Sequence, residues 1–111
     1  MDVIVSLKDN RDFRRLYARG KSFVGPALVT YVMKNRCGGI RVGITTSKKI
    51  GNAVRRSRSR RVIREAFRQA YPCIRSGYDF VFVARGKTPF LKSTQIHRAM
   101  VAQLKDAGVL L

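Results

Sequence analysis

Acidic side chains are scarce in this chain: 6 Asp and Glu stand against 24 Lys and Arg in 111 residues, a formal charge of +18. That deficit excludes an ordinary solvated surface, which mixes both signs, and makes a polyanion the expected partner, phosphate backbones being the commonest. The acids present, Asp2, Asp9, Asp12, Glu65, Asp79 and Asp106, are scattered. No two of them share a motif that would hold a metal or serve as general acid and base. The single histidine, His97, has no Asp or Glu within four residues to tune it and receives no chemistry. Cys37 and Cys73 lack the paired spacing of zinc ligands and read as reduced structural thiols. No apolar run approaches the ~20 residues needed to span a bilayer, and the start, MDVIVSLKD, lacks the basic end and long apolar middle of a signal peptide. The expectation is a soluble, cytoplasmic protein with no membrane association, no small-molecule cofactor and no catalytic or metal centre of its own.

What is present suffices for one domain spanning residues 1–111, since 45% of the residues are hydrophobic and no repeat, low-complexity tract or dividing linker interrupts them. Asp9 or Asn10 caps a helix that runs through Phe13, Leu16 and Tyr17 to about Ala18, where Gly20 stops it. Segments 22–24, 27–33 and 40–46 then alternate as strands and predict a three-strand antiparallel meander. A loop over 47–51 leads to a long helix capped by Asn52 and ending near Tyr71, ahead of Pro72. Residues 78–84 form an apolar strand, and 91–107 a last amphipathic helix closed by Gly108. The order α-β-β-β-α-β-α predicts an α+β fold, a single-domain two-layer α/β sandwich.

The charge is concentrated. Lys48 to Arg68 holds 9 of the 24 bases, 7 of them arginine, and one acid, Glu65. Helical geometry puts Val62, Ile63, Ala66, Phe67 and Ala70 on one side and Arg58, Arg61, Arg64 and Arg68 on the other. Like charges at i, i+3 and i+4 repel by some tenths of a kcal/mol per pair, so stability alone does not choose this face. Arginine grips phosphate bidentately and stacks on unpaired bases, which suits folded RNA, although arginine alone leaves DNA open. Gly51-Asn52 opens the helix where free N–H groups attract anions, with Lys48 and Lys49 just upstream; an ordinary capped turn explains the same residues equally well.

The run Ser47, Lys48, Lys49, Gly51, Ala53, Val54, Arg56, Arg58, Arg61, Arg64, Glu65 resembles the signature of the bacterial ribonuclease P protein subunit, the small basic partner of a catalytic RNA. Two positions depart from it: Ser57 stands where the family usually has Asn, and Arg60 where it usually has Lys. LKDNRDFRRLYARGKSF is similar to the family's first helix, and the element order to its fold. The resemblance implies a left-handed β-α-β crossover, against the right-handed rule that holds in about 98% of cases. It also implies a function: binding the catalytic RNA and the single-stranded 5′ leader of precursor tRNA, so assisting endonucleolytic leader removal, with catalysis in the RNA and its Mg2+ ions.

On this resemblance Lys48, Lys49, Asn52, Arg56, Ser57, Arg58, Arg60, Arg61, Arg64 and Arg68 contact the catalytic RNA. Phe13, Tyr17 and Tyr31 line the leader cleft, and Arg14, Arg15, Lys21 and Arg41 add phosphate contacts. By themselves Phe13 and Tyr17, at i and i+4, read more readily as core, and Tyr31 is ambiguous. Two other classes compete: a non-enzymatic RNA-binding protein of ribosomal type, which explains the charge without the full signature, and a DNA-binding module, which lacks helix-turn-helix spacing.

Overall fold

Residues 78–84, YDFVFVA, decide the architecture, because a strand buried on both faces has to lie inside a sheet with both backbone edges paired. The computed structural model describes residues 5–111, so Asp2 and most of the apolar start lie outside it. The strands are β1 (Val5–Ser6), β2 (Lys21–Val24), β3 (Leu28–Lys34), β4 (Ile40–Thr45) and β5 (Tyr78–Ala84). The helices are α1 (Asn10–Arg19), α2 (Ala53–Ala70) and α3 (Ser93–Asp106). The sheet order is β1-β4-β5-β3-β2. β5 sits at its centre, antiparallel to β3 and parallel to β4.

This order corrects the expected meander. β2 and β3 form the antiparallel hairpin, with Ser22 opposite Tyr31, but β4 does not pair with β3, because β5 inserts between them. The apolar content of β5 is the cause: an edge position would leave it unpaired and wet. β1 is an addition to the expected strands, since two residues carry no periodicity; it runs parallel to β4, and Leu7 N donates to Val42 O at 2.8 Å.

Alternation along β5 builds two cores. Phe80, Phe82 and Ala84 face α2 and α3, where Val62, Ile63, Ala66, Phe67, Ile96, Met100 and Leu104 are buried. Phe67 is the keystone, its ring centroid 5.4 Å from Phe82 and 6.1 Å from Phe80. Burying such a side chain contributes roughly 1.5–3 kcal/mol. Val81 and Val83 point the other way, toward α1, joining Leu7, Leu16, Phe13, Tyr31 and Met33. The α+β sandwich is thus the sheet with α2 and α3, and α1 adds cover on the opposite face.

The caps follow the sequence. Asp9 accepts from Arg11 N at 2.9 Å and opens α1, while Asn52 accepts from Arg55 N at 3.0 Å and opens α2. Pro72 sits in a 3-10 turn, Tyr71–Cys73, that ends α2. Gln103 of α3 accepts from the Thr30 hydroxyl and donates to Leu28 O, so its buried amide is satisfied and ties α3 to β3. Cys37 and Cys73 are free thiols, and both are exposed where structural thiols would be buried.

Candidate nucleic-acid interface

Helix α2 presents the divided surface its sequence requires. Val62, Ile63, Ala66, Phe67 and Ala70 are buried, and Arg58, Arg61, Arg64 and Arg68 are exposed. The sole acid on the helix, Glu65, reaches Arg68 at 3.7 Å, and among the described residues Arg61 and Arg64 have neither an ion pair nor a side-chain hydrogen bond. The face therefore carries uncompensated guanidinium groups, each with a planar fork available to a phosphate.

The remaining arginines of α2 also shape its surroundings. Arg56 Nη1 donates to Gly51 O at 2.8 Å, holding the turn before the helix. Arg60 Nη1 donates to Thr46 Oγ1 at 2.9 Å and its Nη2 to Ser57 Oγ at 3.3 Å. Arg58 Nε donates to Pro89 O at 2.7 Å, across to the turn before α3. Each keeps further N–H donors. Asn52 uses its side-chain oxygen on the cap, so its first task is to start the helix. Lys48 and Lys49 lie exposed on a 3-10 turn, Lys48–Ile50, immediately ahead of it.

On the opposite face of the sheet the three aromatics expected of a cleft come together. Tyr17 and Tyr31 meet edge to face with centroids 5.0 Å apart, and Tyr17 OH donates to Thr45 Oγ1 at 3.4 Å. Tyr17 is 43% exposed, too open for a core residue. Phe13 and Tyr17 share a groove with Asn10, Arg14 and Thr45. Phe13 lies against Gly43, where a Cβ would stand 2.6 Å from its ring.

Phe13 also borders a second groove of about 360 Å³, whose other wall is Arg60, Arg64 and Arg68. Its floor is the outer edge of β4 at Gly43 and Ile44, which lies beyond the pairing of Val5 and Ser6 with Arg41 and Val42. The aromatic cleft and the arginine face therefore meet at one side chain. A single strand laid along them finds stacking faces first and guanidinium groups next.

Of the expected phosphate contacts, one lies elsewhere and one is already engaged. Lys21 stands opposite Val32, on the α3 side of the sheet, whereas Tyr31 stands opposite Ser22 on the α1 side. Its ammonium is thus across the sheet from the aromatics. Arg41 shares their face, but its Nε and Nη2 donate to the buried Asp79 at 2.9 and 2.6 Å, and Asp12 lies 3.9 Å away. The hydrogen bond to Asp79 holds the Arg41 guanidinium above its ordinary pKa, against burial. Arg41 is a tether between β4 and β5 before it is a phosphate ligand.

Arg15, expected as a phosphate contact, and three further basic residues absent from the sequence expectation join the surface. Arg15, Arg19, Lys34 and Arg36 surround Arg41 in a groove on the other flank of α1. Arg15 and Arg19, four apart on a short helix, are legible in the sequence as one charged face; Lys34, at the end of β3, and Arg36, in the turn after it, join them only through the fold. Among the described residues no three His, Cys, Asp or Glu side chains gather as a metal site.

Comparison with known proteins shows the family and the fold. A family model described as Ribonuclease P matches residues 1–108. The chain is similar to the ribonuclease P protein component of Clostridium beijerinckii, at 45% identity over 96% of this chain and 91% of that protein. It is also similar to that of Pelotomaculum thermopropionicum, at 41% identity over 98% and 97%. The structure of the Staphylococcus aureus RNase P protein superposes with a TM-score of 0.85 at 34% identity, covering 98% of this chain and 100% of that one. The Thermotoga maritima RNase P protein gives 0.80 at 30% identity, covering 91% and 96%.

Proposed function

The chain belongs to the ribonuclease P protein family, and on that footing we propose a division of its surface between two RNAs. As a component of ribonuclease P it partners the RNA subunit and serves removal of the 5′ leader from precursor tRNA. The exposed arginines of α2, with Lys48 and Lys49, neutralise phosphates of the RNA subunit. Phe13, Tyr17 and Tyr31, with Arg14 beside them, receive the single-stranded leader.

The observation that carries this division is the position of Phe13, which lines both the aromatic groove and the groove walled by Arg60, Arg64 and Arg68. Each base stacked on an aromatic face contributes roughly 1–3 kcal/mol without demanding a particular sequence, as leaders of varied sequence require. The guanidinium groups supply a salt-dependent attraction that falls as counterions compete.

Cleavage is assigned to the RNA subunit and to magnesium held there. Among the described residues four of the five acids are already engaged, which supports that reading because Mg2+ is bound through free carboxylates. Asp9 caps α1, Asp12 pairs with Arg15, Asp79 is saturated by Arg41 and Asn35, and Glu65 faces Arg68. The protein's contribution is to hold the leader and screen phosphate repulsion while the RNA reacts. Among the described residues no helix is long and apolar enough to cross a membrane. Work on newly made tRNA precursors would place the protein in the cytoplasm.

Reconstitution tests the proposal. The protein added to a bacterial ribonuclease P RNA at low magnesium should restore 5′ cleavage of a precursor tRNA, and Tyr31→Ala should weaken precursor binding far more than mature tRNA binding. No stimulation by folded protein, or equal losses for both tRNAs, would refute it.

A further inference from the structure

Phe90 breaks the rule that large apolar side chains are buried when the fold allows it. It ends a 3-10 turn, Thr88–Phe90, in which Thr88 and Pro89 are buried while Phe90 is 66% exposed. The turn is firmly held. The Thr88 hydroxyl donates to Ala27 O at 2.6 Å and accepts from Arg85 N at 2.8 Å, and Arg58 Nε donates to Pro89 O at 2.7 Å. The ring is thus displayed by a fixed backbone.

One face of the ring is backed by a cation. The Arg55 guanidinium carbon lies 5.0 Å from the ring centroid, within the range of a cation–π attraction. Arg55 reaches that place by folding back over Gly51, where a Cβ would stand 2.8 Å from Arg55 Cδ. Any side chain at Gly51 would displace it, and the positive φ of 132° already disfavours one. With Arg55 on one face and two-thirds of the residue in solvent, the other face is open.

From this geometry we infer that Phe90, backed by Arg55, is a stacking platform for an unpaired nucleobase of the RNA subunit. The inference rests on the reading that the α2 arginines contact that RNA. Charge decides the class of occupant: Arg55, Arg58, Arg61, Arg85 and Lys87 are all exposed near the turn in space or sequence. A protein partner would need a larger apolar area than Phe90 and the neighbouring exposed Val54 present. Only an unpaired nucleotide offers a free π-face together with a phosphate for Arg58. Position decides which RNA: the turn packs on α2, on the sheet face opposite Phe13, Tyr17 and Tyr31.

The chain contains no tryptophan, so Phe90→Trp creates a single fluorophore at the platform. Its emission should be quenched on addition of ribonuclease P RNA and not by a leader oligonucleotide at the same concentration. Phe90→Ala should weaken binding to the RNA subunit by roughly 5- to 150-fold, the effect of one stacked base, with an unchanged salt slope. Phe90→Leu, which keeps an apolar side chain without a π-face, should resemble the alanine variant, and circular dichroism should show both folded. Binding equal to the parent's in both variants, or a tryptophan that does not respond to the RNA or responds only to the leader, would overturn the inference. Parent protein that fails to bind the RNA at all would instead overturn the reading beneath it.

Discussion

Ser57 Oγ accepts a hydrogen bond from Arg60 Nη2 at 3.3 Å, joining across one turn of α2 the two positions at which this chain departs from the signature that it resembles. A shorter side chain at one position faces a longer, forked one at the other. The same fork reaches Thr46 Oγ1 through Nη1, so Arg60 spans from the strand end to Ser57. Lysine has three donors on one atom and cannot bridge the two oxygens with a planar fork.

The pair should therefore behave as a unit. Ser57→Asn and Arg60→Lys made together are expected to differ from the sum of the single changes by about 0.5 kcal/mol or more in affinity for the RNA subunit. A double-mutant cycle in filter binding measures this. Strict additivity would mean that the two departures are independent.

Gly43 controls Phe13 by absence of a side chain. Gly43→Ala puts a methyl group 2.6 Å from the Phe13 ring, and overpacking of this kind costs about 1–3 kcal/mol or moves the ring. The expected result is a lower melting temperature and a larger loss of affinity for precursor than for mature tRNA. Full precursor affinity in the folded variant would show that Phe13 need not lie on the sheet edge.

Arg61 and Arg58 separate charge from scaffold. Each change to Ala should reduce the salt dependence of RNA binding by about one released ion for every phosphate that is no longer neutralised. Arg61→Ala should leave stability unchanged, whereas Arg58→Ala also removes the bond to Pro89 O and about 1 kcal/mol of stability with it. Salt titrations and thermal melts distinguish the two, and an unaltered slope for Arg61→Ala would place its guanidinium away from phosphate.

Strong acid should loosen the start of α1. The Asp9 carboxyl is held below its ordinary pKa of 3.8, chiefly by the hydrogen bond from the Arg11 backbone N–H. A depressed folded pKa gives stability that is present above the unfolded value and lost as pH falls through the folded one. The helix start should accordingly fray only below about pH 4, visible as a shift of the Arg11 amide resonance. Asp9→Asn should remove that acid-dependent step, and its persistence in the variant would assign the step to another group.

The parts of the fold legible in the sequence are those where a pattern is long and local. In α2 the apolar and arginine positions alternate over 18 residues, and Asn52 and Pro72 mark the two ends. Strand order is less legible, because adjacency in sequence favours pairing β3 with β4, and only the two-sided burial of β5 argues for inserting it. Arg41 and Asp79 are 38 residues apart, so nothing local announces that this arginine is already engaged. Lys21 requires the β2–β3 register: one residue's shift would put it beside Tyr31. The exposure of Phe90 has no local signal at all, since an aromatic after proline reads equally well as buried.

The end of β1 at Ser6 has a consequence for the protein when no RNA is bound. Beyond Val42 the edge of β4 presents backbone groups that another chain could pair with, and such edges invite association between copies. Arg60, Arg64 and Arg68 stand over that edge, so two molecules approaching through it bring like charges together. The arginines proposed to recruit a nucleic acid thereby also set like charge against the pairing of two such edges.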